Sequence, residues 1–243
     1  MNTIVASNYE TLSDVAAKMV IEVINKKPNA VIGLATGSTP IGLYETLIAY
    51  HKKGVVDFSD VTSFNLDEYV GLSESHPQSF RYFMDSNFFS HININPKNTH
   101  IPNGMAKDIA LECKNYDAML EASNGIDIQI LGIGTNGHIG FNEPNDALIL
   151  GTHVATLAKE TIIANSRFFN AISEVPTRAI TMGIGNIMRA KKIVVLASGS
   201  EKSDIIKELF DDKVTTQVPV SLLKIHPDVT IIVDELAGKF INS

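Results

Sequence analysis

The sequence predicts an α/β fold: an open, mainly parallel twisted sheet with helices on both faces. Three observations carry this expectation. Short strand-like runs recur at Val31–Ala35, Val61–Asn65, Asp127–Leu131, Lys192–Ala197 and Val229–Val233, most of them rich in Val, Ile and Leu. Amphipathic stretches of helical period alternate with them, the pattern of a parallel sheet wound with helices. No internal repeat, low-complexity tract or Pro/Gly/Ser-rich linker interrupts the chain, so residues 1–243 are read as one domain.

The elements follow in order. Leu12, Val15, Ala16, Met19, Val20, Val23 and Ile24 lie at helical spacing and mark one buried face. Val31–Ala35 reads as a buried strand, Pro40–His51 as a helix and Val61–Asn65 as a second strand. Ile109–Leu120 reads as a helix and places Cys113 inside, where an isolated thiol usually sits. Asp127–Leu131 is a third strand, and Val154–Leu157 and Arg178–Met182 are weaker ones. Lys192–Ala197 and Val229–Val233 are strong strands. Residues 159–176 have weak strand character and are read as a helical flap.

Composition narrows the function. Apolar residues make up 44% and charged residues 19%, an ordinary soluble mix. A formal charge of −7 argues against a nucleic-acid partner, so any anionic ligand needs local cations. One cysteine excludes an intrachain disulfide. There is no signal-peptide pattern at the start, and no apolar run approaches the roughly 20 residues that span a bilayer. The expectation is a cytoplasmic protein without a membrane partner.

Two turns have the form of anion cradles. Thr36-Gly-Ser-Thr-Pro40 follows a core strand; Thr39 suits a helix N-cap and Pro40 the first helical position. Gly37 lets backbone approach a ligand, and free N–H groups with the helix dipole favour phosphate. A well-capped helix start explains the pentapeptide equally well. Ser198-Gly-Ser-Glu-Lys202 repeats the arrangement, with Ser200 as a cap and Lys202 in the first turn. A lysine there opposes the helix dipole unless an anion binds; a solvated lysine is the alternative. Arg167, between Ser166 and two phenylalanines, is a third cation. The sequence holds neither a Walker A loop nor a G-x-G-x-x-G fingerprint.

The acid/base candidates sit at strand ends. Phe64-Asn-Leu-Asp-Glu-Tyr-Val-Gly71 places Asp67 and Glu68 where ligand crevices open in α/β sheets. Strand alternation sends the two side chains to opposite sides, so one of them faces the site. A capping or surface pair remains the alternative. His138 lies among Gly132, Gly134, Gly137 and Gly140, and Glu143 follows five residues later, placed to orient the imidazole. These groups show no metal-ligand spacing, and no metal is expected.

Together these motifs resemble the glucosamine-6-phosphate deaminase (isomerase) family over essentially the whole chain. The resemblance rests on Thr36–Pro40, Phe64–Gly71, His76-Pro-Gln-Ser79, Asn136-Gly-His-Ile-Gly-Phe-Asn-Glu-Pro144, Ala164–Phe169 and Ser198–Lys202. It implies a Rossmann-like sheet of the sugar-phosphate isomerase type. It also implies conversion of glucosamine 6-phosphate and water to fructose 6-phosphate and ammonia, without metal or organic cofactor. By matching motifs, His138 opens the sugar ring, Glu143 and Asn136 orient it, and Asp67 moves the C2 proton to C1. Gly37, Ser38, Thr39, Arg167 and Lys202 take the 6-phosphate.

The sequence departs from part of that family. Some members carry Asp where Asn136 stands, and Asn cannot ionise. Hexameric, allosteric members place basic residues where His153 and Ala155 occur, and they carry a longer C-terminal tail. A monomer or small homo-oligomer is therefore expected, with little or no activation by N-acetylglucosamine 6-phosphate. Two alternatives are a 6-phosphogluconolactonase, whose histidine loop usually runs on to Ser-Leu-Phe-Pro, and a sugar-phosphate sensor. Sensors on this fold normally add a DNA-binding segment, and nothing here resembles one.

Overall fold

The computed structural model describes residues 1–169 and 171–241. Asn170, inside the expected flap, and the last two residues lie outside the described residues. The strands are β1 (Asn2–Ala6), β2 (Val31–Leu34), β3 (Thr62–Asn65), β4 (Asp67–Tyr69), β5 (Thr99–His100), β6 (Ile128–Gly132), β7 (His153–Thr156), β8 (Arg178–Thr181), β9 (Ile193–Ala197) and β10 (Val229–Asp234). The helices are α1 (Tyr9–Lys26), α2 (Ile41–Lys52), α3 (Phe80–Asn87), α4 (Ile109–Ala122), α5 (Lys159–Asn165), α6 (Ile184–Met188) and α7 (Ser203–Leu209).

Seven strands form one sheet in the order β1-β10-β9-β6-β2-β3-β5. Every pairing in it is parallel. Side-chain alternation divides the core in two. Ile32, Leu34, Ile128, Ile130, Val194 and Leu196 meet the apolar faces of α1 and α2 on one side. Val31, Leu131, Ile193, Val195, Ile231 and Val233 meet α4, α6 and α7 on the other. Strands buried on both faces must be apolar at successive positions, which is why the five strong runs are legible.

The chain reverses direction across the sheet at its middle. From β2 it winds outward to β3 and β5; it then returns to β6, on the other side of β2, and winds outward through β9 to β10. The crevice beyond the carboxyl ends of β2 and β6 is therefore the topological switch point, where such sheets bind ligands.

The two weak strands leave this sheet. β7 and β8 pair antiparallel, and β8 pairs antiparallel with β4, giving a second sheet in the order β4-β8-β7. It covers a smaller core of Tyr69, Phe141, Ala155, Leu157 and Ala179. β1, β4 and β5 were not expected from the sequence. β1 is a largely exposed edge strand whose apolar run, Ile4-Val-Ala6, is only three residues long, and β4 is the tripeptide Asp-Glu-Tyr.

Two capping expectations are corrected. Helix α2 begins at Ile41 after Pro40, and neither Pro40 nor Thr39 caps it with a side chain. The Tyr9 hydroxyl takes that role: it accepts the Gly42 N–H at 2.8 Å and donates to the Thr39 carbonyl at 2.9 Å. A phenol arriving from α1 satisfies an amide that a local hydroxyl would otherwise cap. Ser200 likewise does not cap a helix; it opens a 3₁₀ turn through Lys202, and α7 starts at Ser203. Among the described residues of 159–176, α5 is followed by 3₁₀ turns at Ser166–Phe168 and Ile172–Glu174.

Candidate active site

Four loops meet at the switch point: those after β2, β3, β6 and β9. Each sequence-predicted residue lies on one of them or on the flap. Asp67 opens β4, directly beyond the end of β3. It is buried, and it stands opposite Thr181 of β8 in the antiparallel register. Thr181 also accepts the Phe141 N–H at 3.0 Å, which draws the β6 loop against Asp67. A Cβ placed on Gly140 would sit 3.5 Å from Asp67 Oδ2.

The alternation between Asp67 and Glu68 is observed. The Glu68 carboxylate turns away and accepts the N–H groups of Tyr69, Phe80 and Arg81 at 2.8, 2.9 and 3.0 Å. Two of those are first-turn amides of α3, so Glu68 works at a helix N-terminus, where negative charge is favoured. Ser79, the N-cap, takes the Tyr82 N–H at 3.1 Å. That accounts for the His76–Ser79 motif structurally.

Burial raises the Asp67 carboxyl to about 8, and the nearby charge of Glu68 adds to the rise. Burial also pulls on Glu143 in the upward direction, but the His138 ring, the Thr161 hydroxyl and the Asn136 amide outweigh it and hold Glu143 at about 2. The site thus holds two carboxyls pushed in opposite directions, one able to retain or release a proton near neutrality and one permanently charged.

The loop after β6 builds the second pair. Glu143 Oε2 accepts from the Asn136 amide at 2.8 Å and lies 3.2 Å from His138 Nδ1. No aligned hydrogen bond joins that last pair, but charge acts across such a distance regardless of alignment. Asn136 also accepts the His138 N–H at 3.2 Å, so it grips both ends of the pair. Gly134 is required by the ring itself: a Cβ there would fall 2.3 Å from His138 Cε1. Asn142 anchors the loop from beneath, donating to the Ile139 and Met182 carbonyls at 2.9 Å each.

The anion candidates lie on the loops after β2 and β9 and on the segment after α5. Gly37 has φ +100°, and nothing stands within 4 Å of where its Cβ would lie, so the turn is open in front. Ser38 is exposed and Thr39 half-buried beside it. Across the crevice, the Asp234 carboxylate at the end of β10 accepts the Ser198 hydroxyl at 2.6 Å and the Gly199 N–H at 3.0 Å, fixing the turn that carries Lys202. Burial lowers the Lys202 pKa first; Glu201 opposes this, and the positive charge of Arg167 lowers it further. Two cations from separate segments are thus held within electrostatic reach of each other, an arrangement that a shared anion relieves.

Three functional positions were missed by sequence reasoning. Thr181 gave no signal, being an ordinary strand residue. Asp234 ends an apolar strand as Asp67 nearly does, and that position was a readable signal. Thr161 donates to Glu143 Oε1 at 2.6 Å from within the flap, and nothing in its surroundings distinguishes it. Among the described residues, no group of three His, Cys, Asp or Glu side chains is placed to hold a metal ion. No helix among them is long and apolar enough to cross a membrane.

Comparison with known proteins agrees with this geometry. The chain is 56% identical over 241 residues to a glucosamine-6-phosphate deaminase of Thermoanaerobacter pseudethanolicus, covering 99% of this chain and 95% of that one. It is 54% identical over 242 residues to the enzyme of the same name from Clostridium perfringens strain 13, covering all of both chains. A solved structure described as a monomeric glucosamine-6-phosphate deaminase superposes with TM-score 0.96 at 43% identity, covering 98% of this chain and 99% of that one. A 6-phosphogluconolactonase from Trypanosoma cruzi shares the fold alone, with TM-score 0.80 at 18% identity over 100% of this chain and 97% of that one. The profile described as glucosamine-6-phosphate isomerases/6-phosphogluconolactonase matches residues 6–232, and the chain belongs to that family.

Proposed function

We propose that the chain is a glucosamine-6-phosphate deaminase, converting glucosamine 6-phosphate and water to fructose 6-phosphate and ammonia in amino-sugar breakdown. The observation that carries this is the pair of oppositely tuned carboxyls at one crevice, Asp67 at about 8 and Glu143 at about 2 behind His138. With Nδ1 turned toward Glu143, Nε2 of His138 is left for the sugar. His138 moves the O1 proton to O5, and the C1–O5 bond breaks to give the aldehyde. Asp67 takes the C2 proton while a proton passes from the substrate ammonium to O1, forming an enolamine, and returns its proton to C1; the product is the protonated imine at C2. Water adds to C2 and ammonia leaves. Asn136 and Glu143 orient the imidazole throughout.

The 6-phosphate sits among the Gly37 backbone, Ser38, Thr39, Arg167 and Lys202. This resolves how a chain of charge −7 binds an anion: the attraction is local. Arg167→Ala and Lys202→Ala each raise KM about tenfold or more with a smaller change in kcat, as expected when binding shared by ground and transition states is lost. Steady-state kinetics in which both variants keep the unmodified KM would remove them from the phosphate site.

The protein acts in the cytoplasm on this small substrate, without a cofactor, as a monomer or small homo-oligomer. Activation by N-acetylglucosamine 6-phosphate is little or none. His153 bonds the Gly151 carbonyl at 3.0 Å, and Ala155, which carries no charge, is packed into the small core. The deciding experiment measures ammonia and fructose 6-phosphate from glucosamine 6-phosphate, with and without that compound. Absence of ammonia, or acid release from 6-phosphogluconolactone instead, refutes the function; a marked left shift of the rate curve refutes the insensitivity.

A further inference from the structure

Glu143 is held from two parts of the chain. Asn136 and His138 belong to its own loop, but Thr161 belongs to α5. Thr161 is buried, and its hydroxyl proton goes to Glu143 Oε1 at 2.6 Å. A helical threonine ordinarily satisfies its hydroxyl on the carbonyl one turn back. Here that local bond is forgone for a carboxylate eighteen residues away. A hydrogen bond to an ionised acceptor in a buried place is worth more than a neutral one.

The same segment carries Arg167. Its Phe169 ring packs 6.1 Å from Tyr69, the last residue of β4, and 6.5 Å from His76. The segment that presents one phosphate cation therefore also completes the hydrogen-bonding shell of the carboxylate behind His138.

We infer that Thr161 is a positioning residue: through it, the seating of α5 sets the direction of Glu143 and readies His138 for ring opening. The inference rests on the deaminase reading above. Phosphate contact at Arg167 and acid/base readiness at His138 then both depend on how α5 and the turn after it are seated, so a sugar without the phosphate is bound weakly and also opened slowly.

The test compares the unmodified chain with Thr161→Val, which keeps the shape and loses the hydroxyl, and Thr161→Ser, which keeps the hydroxyl. With glucosamine 6-phosphate, Thr161→Val is expected to lose about tenfold or more in kcat, the worth of one hydrogen bond to a charged group. Its KM should stay within about twofold, and Thr161→Ser should recover most of the rate. With an open-chain analogue of the substrate, which needs no ring opening, the Thr161→Val defect should largely disappear. An unchanged kcat in Thr161→Val, an equal loss in Thr161→Ser, a rise confined to KM, or a defect that persists with the analogue each overturns the inference. Absence of ammonia release by the unmodified chain overturns the deaminase reading and this inference with it; activity there with any of the former results overturns the inference alone.

Discussion

Asp67→Asn lowers turnover by about a thousandfold or more, the scale set by loss of a general base, and at the same time makes the protein more stable. Both effects have one cause. Asp67 is buried in a place that favours its neutral form, and its pKa stands at about 8 rather than 3.8. The folded state therefore holds a proton that the unfolded chain releases. Stability is unaffected by this group below about pH 4, declines as pH rises from there to about 8, and is lower by a constant amount above. Each pKa unit corresponds to about 1.4 kcal/mol, and each kcal/mol recovered moves Tm by about 2–4 °C in a chain of this size. Thermal unfolding of Asp67→Asn should show a gain in Tm at pH 9 that is nearly absent at pH 4. A gain independent of pH would mean that burial does not tune this carboxyl. The same value predicts that kcat/KM of the unmodified enzyme climbs with pH toward about 8 and then levels, because the base must be ionised. A limb near pH 4 would contradict the raised value.

His138→Gln is the second large effect, a fall of about a hundredfold or more in kcat/KM with glucosamine 6-phosphate, again on the general acid–base scale. Glu143→Gln should approach it. Glu143 is anionic throughout the working range, and its contacts are Asn136, Thr161 and the His138 ring. Its charge has a single evident use, behind that ring. Combining the two substitutions should cost little more than His138→Gln alone, since groups acting as a unit are not additive. An open-chain analogue should relieve the His138→Gln defect and leave that of Asp67→Asn intact. If neither variant responds to the analogue, ring opening is not the step His138 serves.

Much of this architecture was legible in the residues. β2, β9 and β10 are apolar at most successive positions because both of their faces are covered, and all five central strands read from the sequence lie within a residue or two of their observed bounds. Asp67 and the 136–144 loop stand out as candidates because each follows a strand and breaks its pattern with polar groups, while the roles given to them come from the family resemblance. β4 escapes notice because it is only three residues long and two of them are acidic, Glu68 bonding to the first turn of α3, so Tyr69 alone contributes to packing. The caps were misread for a related reason. Thr39 and Ser200 have the right chemistry for local capping, but the amide at the start of α2 goes to Tyr9, distant in sequence, and the turn before Ser200 is held by Asp234. Thr161 belongs with these: no local pattern announces a hydrogen bond to a residue on another loop.

The reversal of the chain between β2 and β6 has a consequence for biosynthesis. β2 receives its neighbour β3 soon after it is made, but its other edge waits for β6, and β1 waits for β10 at the far end of the chain. During synthesis the early half exposes an unpaired apolar strand edge for some ninety residues' worth of translation, several seconds at about 5–20 residues per second. Such an edge invites pairing with other chains. The crevice cannot exist until this late closure occurs, because its two walls are made by the early and late halves. A ligand-binding chain is thus by construction a fully synthesised one, and overexpression that outruns release should yield insoluble material rather than soluble, inactive half-folded enzyme.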